Sequence, residues 1–132
     1  KQLAQIVTDA VPKSASRRRR IHPATRVFMA LRIYVNRELE ALKTFMENVV
    51  ELLHPQGRLC VLSFHSLEDR IVKKRIKALE KGCKCPSDFP QCVCNQEKRV
   101  RALTKKALRP TDAEIAVNPM ARSTRLRAIE KL

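Results

Sequence analysis

Four ionisable side chains crowd one short segment of this sequence. His65, Glu68, Asp69 and Arg70 follow Ser63 within GRLCVLSFHSLEDR, which runs from Gly57 to Arg70. Four ionisable groups are more polar chemistry than a connecting loop needs. The plainer account is a well-capped helix, because carboxylates in a first turn are favoured by the helix dipole. Sulfur forms a second concentration. Cys83-x-Cys85 and Cys92-x-Cys94 stand six residues apart, and four thiolates could hold one tetrahedral zinc. Reduced thiols in an irregular loop, or disulfides in an oxidising compartment, are the alternatives.

Particular elements must position the first cluster. Leu59, Cys60, Val61 and Leu62 form an apolar run that reads as a strand buried on both faces, as in a parallel sheet, with Cys60 a small buried hydrophobe. Ser66 and Asp69 match the S-x-x-D signature of a helix that continues through Ile71 to Leu79. In open α/β sheets ligands bind beyond the carboxyl ends of the strands, so Ser63 to Arg70 falls on the working edge.

The flanking chain reads as mostly helical. Lys1 to Val11 is a short amphipathic helix that stops at Pro12, and Lys13 to Arg20 is a linker. His22-Pro23 opens a helical stretch of about thirty residues, or some 45 Å, and a break is expected near Asn36, a good cap for the second half. His54 to Gly57 is the turn into the strand. Arg99 to Leu108 reads as a second strand, Thr111-x-x-Glu114 caps a short helix through Val117, and Ser123 to Leu132 alternates as a final strand. About three strands with flanking helices make an α/β unit.

Charge indicates the partner. The 28 Lys and Arg against 13 Asp and Glu give the 132-residue chain +15 at pH 7. Such an excess suits a polyanion, most simply nucleic acid, through phosphate contacts and counterion release. Arg17, Arg18, Arg19 and Arg20 would clamp phosphates, and His22, Arg26, Arg32, Asn36, Arg70, Arg122 and Arg125 are further candidates for the same surface. No apolar run reaches the roughly 20 residues needed to span a bilayer, and no secretory leader precedes KQLAQIVTDAV, so the expectation is a cytoplasmic protein. The only glycines, Gly57 and Gly82, lie far apart, so no glycine-rich turn for a nucleotide-like cofactor is in this chain.

HPATRVFMALRIYVNRELEAL, GRLCVLSFHSLEDRIVK and ALRPTDAEIAVNPMARSTRLRAIEKL together resemble the C-terminal portion of the small-subunit ribosomal-RNA methyltransferase H family. The resemblance implies a Rossmann-like class I methyltransferase sheet, S-adenosylmethionine as cofactor, and the exocyclic amine of a cytosine as methyl acceptor. It implies small-subunit rRNA, or the assembling subunit, as partner, and neither DNA nor membrane. Residues 1–20 would be the tail of an inserted helical substrate domain, and 21–132 the C-terminal half of the methyltransferase domain. Its fifth strand would be Leu59 to Phe64, and its sixth and seventh strands would lie near Val100 and Leu126. Ser63, His65, Glu68 and Asp69 would then be substrate-side helpers, with the cofactor site mostly outside this chain. The cysteine loop occurs in only some members, so a required catalytic role is not expected of it. The competing function is a non-catalytic basic RNA-binding module, zinc-stapled through its cysteines.

Overall fold

The helical stretch after His22 breaks where a cap was expected, and the reason is local. A computed structural model describes residues 2–12, 22–83, 85, 91 and 93–132. The chain divides into two compact units, Lys1–Glu40 and Ala41–Leu132. In the first, α1 (Gln2–Ala10) packs on α2 (Pro23–Val35). His22 caps α2, its Nδ1 accepting the Ala24 N–H at 3.3 Å, and Pro23 takes the first turn, where a missing N–H costs nothing. Asn36 closes α2 by donating its backbone N–H to the Arg32 carbonyl, and Arg37 turns the chain at φ +51°. Asn36 therefore ends the first helix and does not cap the second, α3 (Glu38–Leu52).

The second unit carries the core. Met46, Val49 and Val50 of α3 meet Val72, Ile76 and Leu79 of α4 (Ser66–Lys81). They close on Val100 of β2 (Val100–Ala102) and Ile129 of β3 (Arg125–Lys131), with Leu59 and Val61 of β1 (Arg58–Ser63) packed alongside. Between β2 and β3 come a one-and-a-half-turn helix, α5 (Asp112–Val117), and a 3-10 turn over Pro119–Ser123. Thr111 caps α5, its hydroxyl accepting the Glu114 N–H at 3.2 Å, as the T-x-x-E spacing predicts.

The sheet runs in the order β1-β3-β2, with β3 antiparallel to both neighbours. The expectation of a doubly buried strand is corrected here. β1 pairs antiparallel to β3, and its burial alternates along the strand. Leu59, Val61 and Ser63 face the helices, while Cys60 and Leu62 lie on the opposite face and are exposed. Cys60 is thus no core residue, because the described helices cover one face of this sheet only. β1 and β2, each antiparallel to β3, run parallel to one another and are joined through α4. That is a β-α-β crossover with β3 inserted between its two strands.

The second strand is also shorter than the Arg99–Leu108 expectation. Leu103 and Thr104 both donate their N–H groups to the Ala128 carbonyl, at 2.9 and 3.4 Å. The Thr104 hydroxyl then accepts the Ala128 N–H at 3.1 Å, taking the place of a ladder bond. The chain bulges outward and returns at Leu108, which exchanges two backbone hydrogen bonds with Leu126. Between Ala102↔Ile129 and Leu108↔Leu126 the edge advances six residues against three on β3. The three additional residues form the bulge.

Candidate functional site

The elbow between β1 and α4 is held by reciprocal hydrogen bonds one residue earlier than the Ser66–Asp69 signature places them. His65 is the N-cap: its Nδ1 accepts the Glu68 N–H at 3.3 Å. In return Glu68 Oε2 accepts the Phe64 and His65 N–H groups at 2.7 and 3.2 Å. An imidazole nitrogen that accepts carries no proton, so in this arrangement the ring N–H is at Nε2. That Nε2 is buried with no aligned hydrogen-bond partner, although Glu68 Oε1 lies 3.3 Å away. Glu68 is committed to the cap. Ser63, at the end of β1, is 2% exposed.

Asp69 is occupied differently. The register pairs Ser63 with Arg125 and Val61 with Arg127, which puts both arginines on the helix-covered face of β3. There they reach the first turn of α4. Arg127 Nε donates to Asp69 Oδ1 at 2.7 Å, Arg127 Nη2 to Oδ2 at 3.4 Å, and Arg125 Nη1 to Oδ2 at 2.7 Å. Burial pushes the Asp69 carboxyl up, but hydrogen bonds from Arg127 and Arg125, with their charges, outweigh it and hold the group below its ordinary value. A second such triad spans the opposite face. Glu130 on the central strand accepts from Arg58 on β1 at 2.9 Å and Arg101 on β2 at 2.6 Å. Hydrogen bonding to Arg58 leads in holding Glu130 below its ordinary value.

The candidate RNA-contacting residues scatter by environment. Arg17, Arg18, Arg19 and Arg20 lie outside the described residues. Arg26, Arg70 and Arg122 are exposed. Arg32 is exposed but forks onto Glu38 at 2.9 and 3.2 Å, and the Asn36 amide donates to the same carboxylate at 3.2 Å. His22 is a helix cap and Arg125 is bound to Asp69.

Arg70 belongs to a larger feature that no motif reveals. Arg70, Lys73, Lys74, Lys77 and Lys81 are all exposed on α4. At about 100° per residue they fall within an arc of about 100°, opposite the buried Asp69, Val72, Ile76 and Leu79. Five cations therefore form one stripe roughly 16 Å long, at a 1.5 Å rise per residue. Arg75 falls on the other side of α4, where it donates to the Met46 and Glu47 carbonyls of α3, both at 3.2 Å. The i, i+3, i+4, i+7 spacing of the basic residues is the signal that marks this face in the sequence.

Three cysteines of the loop come together. Cys83, Cys85 and Cys94 place their sulfurs within 4.8 Å of one another, with Cys83 and Cys94 Sγ 3.7 Å apart. Cys92 lies outside the described residues. Neither glycine offers a cradle for S-adenosylmethionine. A Cβ on Gly57 would meet the His54 carbonyl oxygen at 2.7 Å, and one on Gly82 would meet the Glu97 carbonyl carbon at 2.6 Å. Both glycines pack against this chain's own backbone, so the residues present do not by themselves fit that cofactor. Among the described residues no helix is long and apolar enough to cross a membrane.

Comparison with known proteins places this sequence in a family. The chain is 59% identical to the ribosomal RNA small subunit methyltransferase H of Desulforapulum autotrophicum over 126 residues, covering 96% of this chain and 40% of that protein. It is 57% identical over 131 residues to the protein of that name from Desulfosudis oleivorans, covering 99% and 42%. For the Halothermothrix orenii protein of that name the identity is 51%, again with 99% and 42% covered. The chain thus spans about two fifths of the length of the curated relatives it matches. The model of the MraW methylase family matches residues 1–132, and the chain belongs to that family.

Proposed function

We propose that this chain is the substrate side of a cytoplasmic, S-adenosylmethionine-dependent methyltransferase whose acceptor is the exocyclic amine of a cytosine in small-subunit rRNA. The observation that carries the reading is the five-residue basic stripe on α4, whose first turn is also the elbow after β1. Phosphate contacts along such a stripe fix the register of an RNA strand, and the elbow lies at its leading end. The β1-α4-β2 crossover with parallel outer strands supports a Rossmann-like sheet. The cofactor is held mainly by residues beyond this chain, and no step is assigned here to Gly57 or Gly82.

A cytosine amine is a poor nucleophile because its lone pair is delocalised into the ring. Orientation and hydrogen bonding of the base therefore supply much of what the protein can offer. Of the elbow residues, Glu68 and Asp69 are positioning residues. One holds the Phe64 and His65 amides, and the other ties α4 to β3. Ser63 ends the strand that presents the elbow. His65 carries the polar atom of the cluster with no aligned partner, a buried ring N–H that meets a base acceptor only where seated substrate opens the elbow. A reading as a purely RNA-binding module is favoured by the charge alone, which explains the stripe but leaves the His65 ring N–H without a use. The test is methyl transfer to small-subunit rRNA by the whole protein, with Lys73, Lys74, Lys77 and Lys81 replaced by glutamine. The expected result is a KM for RNA raised at least about tenfold at moderate salt, with kcat retained. An unchanged KM would overturn the assignment of the stripe.

A further inference from the structure

The loop after α4 converges three thiols on one point, and the spacing is informative. Four sulfurs about 2.3 Å from a zinc ion at the corners of a tetrahedron stand about 3.8 Å apart. Cys83 and Cys94 Sγ stand 3.7 Å apart, and Cys85 Sγ joins them within 4.8 Å. A disulfide would instead need sulfurs at about 2.05 Å. The three arrive from both ends of the loop, Cys83 and Cys85 directly after α4 and Cys94 on the way into β2. None of the three is fully buried, so an ion has access.

We propose that Cys83, Cys85 and Cys94 bind a structural zinc ion as thiolates, each losing its proton as the metal enters. Soft thiolates in a tetrahedral arrangement select zinc among common divalent ions. Cys92, the remaining cysteine of the two C-x-C pairs, is the sequence's candidate for the fourth position. The proposal stands on the other three.

The backbone around the cluster shows what the metal would fasten. Gly82 ends α4 at φ +71° and packs against the Glu97 backbone. The Arg99 N–H reaches back to the Leu79 carbonyl at 3.0 Å. The last turn of α4 is thus already abutted by the segment that leads into β2. A zinc ion at the three sulfurs closes the intervening loop and fixes the Lys81 end of the basic stripe. Closing a loop in the folded state alone is how a structural metal converts binding energy into stability.

The whole protein, purified without chelator from zinc-supplemented cells, is analysed for metal. Its cysteines are then alkylated with and without a zinc chelator and located by mass spectrometry. The expected result is about one zinc per chain, with Cys83, Cys85 and Cys94 alkylated quickly only after chelation. Cys85→Ser and Cys94→Ser should each lose most of the metal, while Cys60→Ser keeps it. Because a cysteine variant can fail to fold, the alkylation pattern of the unsubstituted protein decides independently. Metal-free protein with loop thiols reacting equally in both arms would overturn the proposal. So would a disulfide among the three cysteines, or iron in place of zinc.

Discussion

Replacing Asp69 should cost far more stability than the loss of a helix-cap carboxylate. Asp69 has 5% of its side chain exposed and accepts hydrogen bonds at 2.7 Å from both Arg125 and Arg127. Removing it leaves two guanidinium groups facing each other. Arg127, with 12% of its side chain exposed, has little access to water, while Arg125, at 33%, can recover part of its hydration. Breaking a buried pair by deleting one partner costs about 3–5 kcal/mol, and the hydration open to Arg125 places Asp69→Asn near the lower end, at about 3 kcal/mol. A first-turn carboxylate acting on the helix dipole alone would cost about 0.3–1 kcal/mol. In urea titration of the whole protein the midpoint should fall by about 1 M or more. Arg127→Met should cost nearly as much, and the double variant should cost clearly less than the sum, since no charge is then left opposite an empty site. The pH dependence has a defined sign. The Asp69 carboxyl is held below its ordinary value of 3.8, so its contribution is complete above that pH and is lost as pH falls through the lower, folded value. Asp69→Asn should flatten that acid limb relative to the unsubstituted protein. A midpoint shift of under about 0.3 M with additive single variants would refute the triad as an anchor.

Three other outcomes follow from the same geometry. His65→Ala should lose about 1 kcal/mol through the missing cap, whereas His65→Asn, whose side chain can also cap, should recover the stability but not the methyl-transfer rate; equal rates for His65→Asn and the unsubstituted protein would remove His65 from the substrate side. Thr104→Val should cost about 1 kcal/mol through the lost bond to the Ala128 N–H, and faster amide exchange at Ala128 would register it. Gly82→Ala should destabilise by more than about 1 kcal/mol, because the residue sits at φ +71° against the Glu97 backbone; an unchanged urea midpoint would contradict that packing.

Local signals in the sequence were legible and directional ones were not. The proline after His22, the Thr111–Glu114 spacing and the break at Asn36 each depend on a few neighbouring residues, and each element forms there. The cap of α4 is displaced by one residue because the His65 imidazole accepts the Glu68 N–H, and the Asp69 N–H that a Ser66 hydroxyl was expected to take goes to the His65 carbonyl. Alternation along Arg125–Lys131 specifies a strand with two faces but does not say which one is covered. Here the arginine-bearing face also carries the core residue Ile129 and meets Asp69, so Leu126 points away from the core and pairs with Leu62 and Leu108 on the open side. The antiparallel pairing of β1 has the same origin: an apolar run of four residues is compatible with either sheet type, and the partner's direction is a long-range property. Of the candidate site, the elbow could be read because its chemistry is contiguous. The basic stripe needed the helical period, and the thiol cluster needed both ends of a loop brought together.

We propose that the protein carrying this chain methylates a cytosine amine in small-subunit rRNA. The most direct measurement incubates the whole protein with S-adenosylmethionine bearing an isotopically labelled methyl group and assembling small subunits that lack the modification. The RNA is then digested and its nucleosides are resolved by mass spectrometry. The expected result is label in N4-methylated cytidine at one position, reduced when the α4 lysines are replaced. Label confined to another base, to the ribose or to C5 of cytosine would contradict it, as would RNA binding with no transfer at all.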